Sequence, residues 1–197
     1  MNKDYLAVLD ACVLVGAGLR DTLLRLAETP RLYVPKWSDD IVAEVKRTLE
    51  KKLGKSSAQT EHLVTELKKA FPEAWVSGYK SLEAVLQNDP EDRHVLAAAI
   101  RGGAQTIVTF NLKDFPAKAL AEYDIEAVHP DEFLVNQFYL DDALVTLKLT
   151  EQASAINRTL EDQLRSFYRT GALPLFTQTI ADALSIELDP PIEGTFR

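Results

Sequence analysis

The sequence predicts an α/β domain with a central, mainly parallel sheet flanked by helices, followed by a smaller helical extension. Three observations lead there. Short apolar runs of strand length alternate with longer segments of helical periodicity up to about residue 128, the pattern of strands joined by crossover helices. Turn and stop signals separate them, at Thr29-Pro30, Gly54, Pro72 and Gly102-Gly103. From about Pro130 the strand signals thin out and helix-like segments follow one another. The expected division is therefore residues 1–135 and 136–197.

Each element has a local reason. Tyr5–Leu9 is a short Val/Leu/Tyr-rich run, read as a buried strand that stops at Asp10. Leu19, Leu23, Leu24, Leu26 and Ala27 recur at helical spacing, and Thr29-Pro30 closes that helix. LYVP gives a brief extended piece. Ser38 is then a good N-cap, with Asp39 and Asp40 in the first turn where the helix dipole favours anions. That second helix buries Ile41, Val45 and Leu49 and ends near Gly54. A third, from about Ser57 to Phe71, halts at Pro72, and an irregular stretch runs through Gly78. Asp89-Pro90 pairs an N-cap with a proline at the first helical position, so EDRHVLAAAIR reads as a helix stopped by Gly102-Gly103. QTIVTF is a buried strand, NLKDFP a loop, Ala117–Ala121 a short helix and IEAV a last strand. FLVNQFYL, ALVTLKL, QASAINRTLEDQLRSFY and FTQTIADAL form the helical extension, and Pro190-Pro191 opens a tail.

Composition narrows the class. With 197 residues, 46% hydrophobic and 26% charged, the chain can bury a real core, which excludes disordered and fibrous proteins. The lone Cys12 has no partner for an internal disulfide and points to a reducing compartment, the cytoplasm. No apolar run approaches the roughly 20 residues of a spanning helix, and Asp10 interrupts the N-terminal apolar run where a signal peptide would need continuity. No membrane association is expected. The net charge of −8 is unevenly spread: residues 1–119 balance at +1 and residues 120–197 at −9. Lys46, Arg47, Lys51, Lys52, Lys55, Lys68 and Lys69 cluster in one stretch, as consistent with a solvated helix surface as with a patch for a polyanion.

The functional signal is a set of acids where packing favours apolar residues. Glu44 lies on the stripe of Ile41, Val45 and Leu49. Asp92 precedes Val95, Leu96 and Ala99 at i+3, i+4 and i+7 and so takes the inward face of its helix. Asp10 closes the first strand, and Asn111 and Asp114 follow TIVTF. In an open parallel sheet, groups at strand carboxyl ends and neighbouring helix N-termini converge on one crevice. Carboxylates crowded together repel unless a cation neutralises them, and an oxygen-only set selects Mg²⁺ or Mn²⁺ over zinc. Any one of these acids alone is more simply an N-cap, a surface charge or a local ion pair; the conjunction favours metal-assisted phosphodiester hydrolysis. A haloacid-dehalogenase-like phosphatase needs a second aspartate two residues after the first, and that position is Cys12. A receiver domain needs adjacent acids beside the first strand, whereas Asp39-Asp40 precede a later helix.

These residues resemble the PIN-domain ribonucleases, in particular the VapC-type toxins of bacterial toxin–antitoxin pairs. The likeness covers roughly residues 4–134 and rests on VLDACVL around Asp10, WSDDIVAEV with Glu44, DPEDRHVLAAAI with Asp92 and TIVTFNLKDFP with Asn111 and Asp114. It implies a PIN fold in residues 1–135, Mg²⁺ or Mn²⁺ dependence, and endonucleolytic cleavage of structured RNA such as transfer or ribosomal RNA. It also implies a homodimer and inhibition by a small antitoxin. Asp10, Glu44 and Asp92 match the family's three core acids. Many members carry a fourth aspartate at the place of Asn111; here Asp114 supplies the nearby carboxylate, and Asn111 weakens any second metal site. Thr109 is a supporting residue that could orient a metal-bound water, or a plain strand-end threonine. The segment 136–197 resembles the C-terminal extension of a longer VapC subgroup.

Other residues stand at the margin. Arg93, Lys46, Arg47 and Lys51 are candidates for RNA binding, and Arg93 and His94 flank Asp92, either reaching phosphate or facing solvent. His62 and His129 read as surface or cap residues, and Cys12 as an inert packed thiol. Trp37 and Tyr79 suit anchoring to the core more than stacking on bases. Phe138, Tyr139 and the following leucines read as core, with a dimer seam or an antitoxin helix as the other use of that face. Two alternatives to an endoribonuclease follow from Asn111 and from the shared chemistry: a non-cleaving PIN-like module that binds RNA or protein, and a DNA-directed nuclease.

Overall fold

The computed structural model describes residues 5–188. Two compact units emerge, one made of residues up to Arg20 together with Tyr33–His129, the other of Asp21–Leu32 together with residues from Pro130 onward. Among the described residues no helix is long and apolar enough to cross a membrane.

The first unit holds a five-stranded, wholly parallel sheet. Its strands are β1 (Leu6–Leu9), β2 (Val34–Ser38), β3 (Trp75–Val76), β4 (Thr106–Val108) and β5 (Glu126–Val128), in the order β3-β2-β1-β4-β5. β1 is central, with Ala7 opposite both Pro35 and Thr106, and its Ala7, Val8 and Leu9 are fully buried. An apolar run on both faces is what a central parallel strand requires. The order reverses direction between β1 and β4, so the crevice at their carboxyl ends is the natural place for a site.

Between the strands of this unit the chain follows the sequence reading with three corrections. Helix α1 (Ala11–Val15) follows β1 directly, before α2 (Ala17–Ala27), so that the ACVLV stretch is helical. Asp10 explains this: its side chain accepts from the Ala11 N–H and caps the helix. Helices α3 (Asp39–Leu53) and α4 (Ser57–Ala70) stand where expected, α3 capped by Ser38 and ended by a left-handed Gly54, α4 started by a Ser56/Gln59 capping box. The stretch after Pro72 is not wholly irregular, because Trp75 and Val76 add β3 to the sheet edge. Trp37 of β2 meets the Trp75 and Phe71 rings edge-on at 6.1 and 5.8 Å, and this aromatic cluster fixes the strand. Finally, α5 spans Arg93–Gly102 and starts three residues later than Asp89-Pro90 suggests. Asp89 makes a local turn by accepting from the Glu91 N–H, and Asp92 takes the N-cap position instead of a place inside the helix. A short helix, α6 (Ala117–Leu120), precedes β5.

The second unit is helical: α7 (Pro130–Leu140), α8 (Asp142–Ala155), α9 (Leu160–Thr170) and α10 (Pro174–Leu184), together with the Asp21–Ala27 part of α2. The QASAINRTLEDQLRSFY segment is not one helix, since α8 runs through its first residues and the chain breaks at Ile156–Thr159 before α9. α7 packs on α8 and α10, and α9 on α8 and α10, around Phe133, Leu164, Phe176 and Ile180. Phe138 joins this core, whereas Tyr139 is exposed. Two polar contacts tie distant segments together. Thr22 donates to Gln152 at 2.8 Å, and the Asp131 carboxylate accepts from the N–H groups of Leu175 and Phe176 at 2.9 and 2.7 Å, capping α10 from another helix. The Pro190-Pro191 tail lies outside the described residues.

Candidate active site

The site grows from the ends of β1 and β4. Asp10 follows β1, its N–H bonded to the Val108 carbonyl at 3.1 Å, and is almost fully buried. Its carboxylate accepts three hydrogen bonds: from the Ala11 N–H on Oδ1 at 2.6 Å, and from the Thr109 hydroxyl and the Cys12 thiol on Oδ2 at 2.7 and 3.1 Å. Thr109 in turn accepts from the Asn111 N–H at 3.0 Å, and Cys12 Sγ from the Phe110 N–H at 3.3 Å. Burial, and then the charge of Asp10, push the Cys12 thiol up to about 12, so sulfur stays protonated and donates. Sequence reasoning took this thiol for inert packing; the spacing Asp-x-Cys, which folds the thiol back over the carboxylate through the first turn of α1, was the available signal.

Three further acids gather nearby. Glu44 sits half-buried on α3 among the buried Ile41, Val45 and Leu49. Asp92 holds the N-cap position of α5, yet its side chain makes no capping bond and is left to face the crevice. Asp114 ends a 3₁₀ turn over Leu112–Asp114, and its carbonyl accepts from the Asp89 N–H at 3.2 Å, fastening that turn to the loop before Asp92. The electrostatics register the convergence: the Asp92 carboxyl is raised from 3.8 to about 6 by burial, then by the negative charges of Asp10, Asp114 and Glu44, with His94 opposing.

Glu44, Asp92, Asn111 and Asp114 line one crevice of about 730 Å³, joined by Arg47 and His94. Asp10 and Thr109 do not line it and are buried. His94 stands with Nε2 3.7 Å from Glu44 Oε2 and Nδ1 2.9 Å from the Glu91 carbonyl, a role its neighbourhood to Asp92 only hinted at. Of the basic candidates, only Arg47 reaches the crevice. Lys46 pairs with Glu61, Lys51 is exposed at the end of α3, and Arg93 points its Nε into a buried position without a hydrogen-bond partner.

The donor set suits a hard divalent cation. Every crevice carboxylate and the Asn111 amide offers oxygen, and the raised carboxyl of Asp92 shows burial and mutual repulsion among the acids. Among the described residues no three His, Cys, Asp or Glu side chains are drawn close enough to form a ready ligand cage. The acids thus act on one another across an open crevice, and a cation would have to draw them in.

Comparison with known proteins fits this geometry. The family model described as the PIN domain matches residues 7–113, more than half of the chain, and so includes Asp10, Glu44, Asp92 and Asn111 and ends one residue before Asp114. A Mycobacterium tuberculosis protein named "Putative ribonuclease VapC50" is 54% identical over 67 residues, which is 34% of this chain and 40% of that protein. The match therefore spans well under half of that relative's length. No solved structure matches. With the parallel sheet, the acids at the strand ends and the family model in agreement, the chain belongs to the PIN-domain family.

Proposed function

We propose that the chain is a metal-dependent endoribonuclease of the VapC type, the toxin of a toxin–antitoxin pair, acting on structured RNA of the transfer or ribosomal class. The observation that carries it is the Asp92 carboxyl held at about 6 by burial and by three converging acids, a cost in metal-free protein that a cation would turn into binding energy. The similarity to a protein named as a VapC ribonuclease supports the choice of RNA. Residues 1–135 form the nuclease region in this proposal and 136–197 its extension. A small antitoxin, a homodimer and a cytoplasmic location complete it.

Asp10, Glu44, Asp92 and Asp114 are the residues that would hold Mg²⁺ or Mn²⁺, with the Asn111 amide oxygen beside them. When bound, the cation supplies positive charge for the scissile phosphate and makes water a stronger nucleophile. The remaining work belongs to the protein. Ala11, Cys12 and Thr109 hold the Asp10 carboxylate in one orientation. Asp92, ionised for the most part at neutral pH, offers its carboxylate to the crevice as a ligand. Arg47 at the rim offers a guanidinium fork to a phosphate.

One observation favours a second reading, a non-cleaving PIN-like binder: Asn111 brings an amide where a fourth carboxylate would strengthen the hold on metal. Calorimetric Mn²⁺ titration and cleavage of purified transfer RNA, ribosomal RNA and DNA separate the two. A nuclease binds Mn²⁺, loses that binding in Asp92→Asn, and cuts RNA only with metal; a binder holds RNA equally well in EDTA and cuts nothing.

A further inference from the structure

His94 brings a nitrogen into the acidic crevice, and its surroundings fix how that nitrogen is presented. The ring sits in the first turn of α5, two residues after Asp92, with 16% of its side chain exposed. Its Nδ1 lies 2.9 Å from the Glu91 carbonyl. A carbonyl can only accept, so Nδ1 carries the proton. The Glu91 carbonyl is held in turn: Asp89 accepts from the Glu91 N–H at 2.9 Å, and the Asp89 N–H is bonded to the Asp114 carbonyl at 3.2 Å. Ring, loop and acid-bearing turn are thus fastened together.

The opposite nitrogen, Nε2, is buried and has no hydrogen-bond partner among the described residues. It faces Glu44, whose Oε2 stands 3.7 Å away, too far for a hydrogen bond. A nitrogen lone pair opposite a carboxylate gains nothing from it, whereas a cation between them engages both. Two donors sharing one divalent ion through bonds of about 2.1 Å stand roughly 3.0–3.5 Å apart, so this pair needs to close by only a few tenths of an ångström. A ring N–H given to a backbone carbonyl, with the other nitrogen left over, is also the usual setting of a metal-ligating histidine.

We propose that His94 Nε2 is a ligand, beside Glu44, for the divalent cation of the acidic crevice, and that this nitrogen favours Mn²⁺ over Mg²⁺. It rests on the reading of the crevice as a metal site. Mg²⁺ is held through oxygen and water, whereas first-row transition ions such as Mn²⁺ also bind mixed nitrogen and oxygen sets. The carboxylates and the Asn111 amide accept either ion; the imidazole distinguishes them. Glu44 and His94, carried by α3 and α5, are the pair already in place, and the remaining carboxylates are those that a cation would draw in.

The test uses the full chain stripped of metal with EDTA and titrated by calorimetry with Mn²⁺ and with Mg²⁺, as wild type and as His94→Gln. Pulsed electron paramagnetic resonance of the Mn²⁺-loaded protein reads nitrogen bound to the ion, independently of activity. A nitrogen coupling is expected in the wild type and not in His94→Gln. Affinity for Mn²⁺ is expected to fall about tenfold or more in the variant, and that for Mg²⁺ by less than about threefold. A wild-type spectrum with oxygen ligands alone overturns the proposal, even where the variant binds Mn²⁺ poorly, because His94 then acts only by pairing with Glu44. That spectrum needs no variant, so it decides the matter whether or not His94→Gln folds. Equal losses for the two ions overturn the preference for Mn²⁺. Folded wild-type protein that binds no Mn²⁺ at millimolar concentration overturns the metal reading of the crevice together with the ligand. Mn²⁺ bound through oxygen alone, with RNA cut, overturns the ligand and keeps the nuclease.

Discussion

Asp10 accepts three hydrogen bonds, and an ionised carboxylate offers about four acceptor positions, so its orientation is set before any ligand arrives. Cys12→Ala removes one donor and frees Oδ2 to turn; cleavage is expected to fall roughly fivefold to tenfold, while Cys12→Ser restores most of it by supplying another donor. Equal activity in the two variants, read by single-turnover kinetics, would leave the thiol without a positioning role. Asp92 gives a pH-dependent counterpart. Its folded pKa lies above the unfolded value, so the metal-free folded protein binds the proton more tightly, and the stability this confers is full below about pH 4 and lost as pH rises through about 6. Asp92→Asn removes the penalty. Its gain in melting temperature over wild type, in EDTA, is expected to be near zero at pH 4 and to correspond to about 1 kcal/mol at pH 7, after discounting for the half-exposed position. A gain equal at both pH values would contradict the convergence of acids. The acids themselves were legible because each breaks an apolar pattern. Cys12 was not, since a small half-buried thiol has an ordinary packing explanation until its neighbours across the sheet are known.

The element scale shows why boundaries were harder to read than elements. Ser38, Gly54 and Gly103 act through their own backbone neighbours, so the caps of α3 and the end of α5 could be read locally. β3 is two residues long and carries no periodicity, and it exists because Trp37 and Trp75 pack together across the sheet. The start of α5 shifted because Asp89 found a nearer partner in the Glu91 N–H. Close packing behind the sheet also offers a test. A Cβ on Gly102 would lie 2.9 Å from Val76 Cγ2, so Gly102→Ala should cost about 1–3 kcal/mol despite the better helix propensity of alanine, measured by urea unfolding; a stabilised variant would mean that α5 and β3 are less tightly packed. Asp131 is the reverse case, a cap delivered to α10 from 44 residues away. Asp131→Ala strands the Leu175 and Phe176 amides, the second of them buried, and should destabilise by about 1–3 kcal/mol, seen as faster amide exchange at both residues.

For the whole molecule, the two units are interleaved in sequence: Asp21–Leu32 belongs with the residues after Pro130. Thr22 would lose Gln152 if the chain were cut after residue 135, and the 21–32 segment would lose the helices of its own unit. Such a truncation is expected to bind a hydrophobic dye and to aggregate; a truncated chain that unfolds cooperatively at the native temperature would show that the first unit does not need this segment ordered. The interleaving was invisible in sequence because helical periodicity tells that a face is buried, not against what. The parallel sheet, by contrast, follows from alternating strands and helices, and parallel strands put Asp10, Asn111 and Asp114 at the same end.

The most direct test of a metal-dependent ribonuclease is to incubate total cellular RNA with the purified chain in Mn²⁺, in EDTA, and with an Asp10→Asn variant, and to map the ends of the fragments. Discrete fragments in Mn²⁺ alone, absent from EDTA and from the variant, are expected. Intact RNA in all three reactions, with folded protein free of any copurifying inhibitor, would contradict the nuclease and direct attention to Asn111 as the residue that disarms the site.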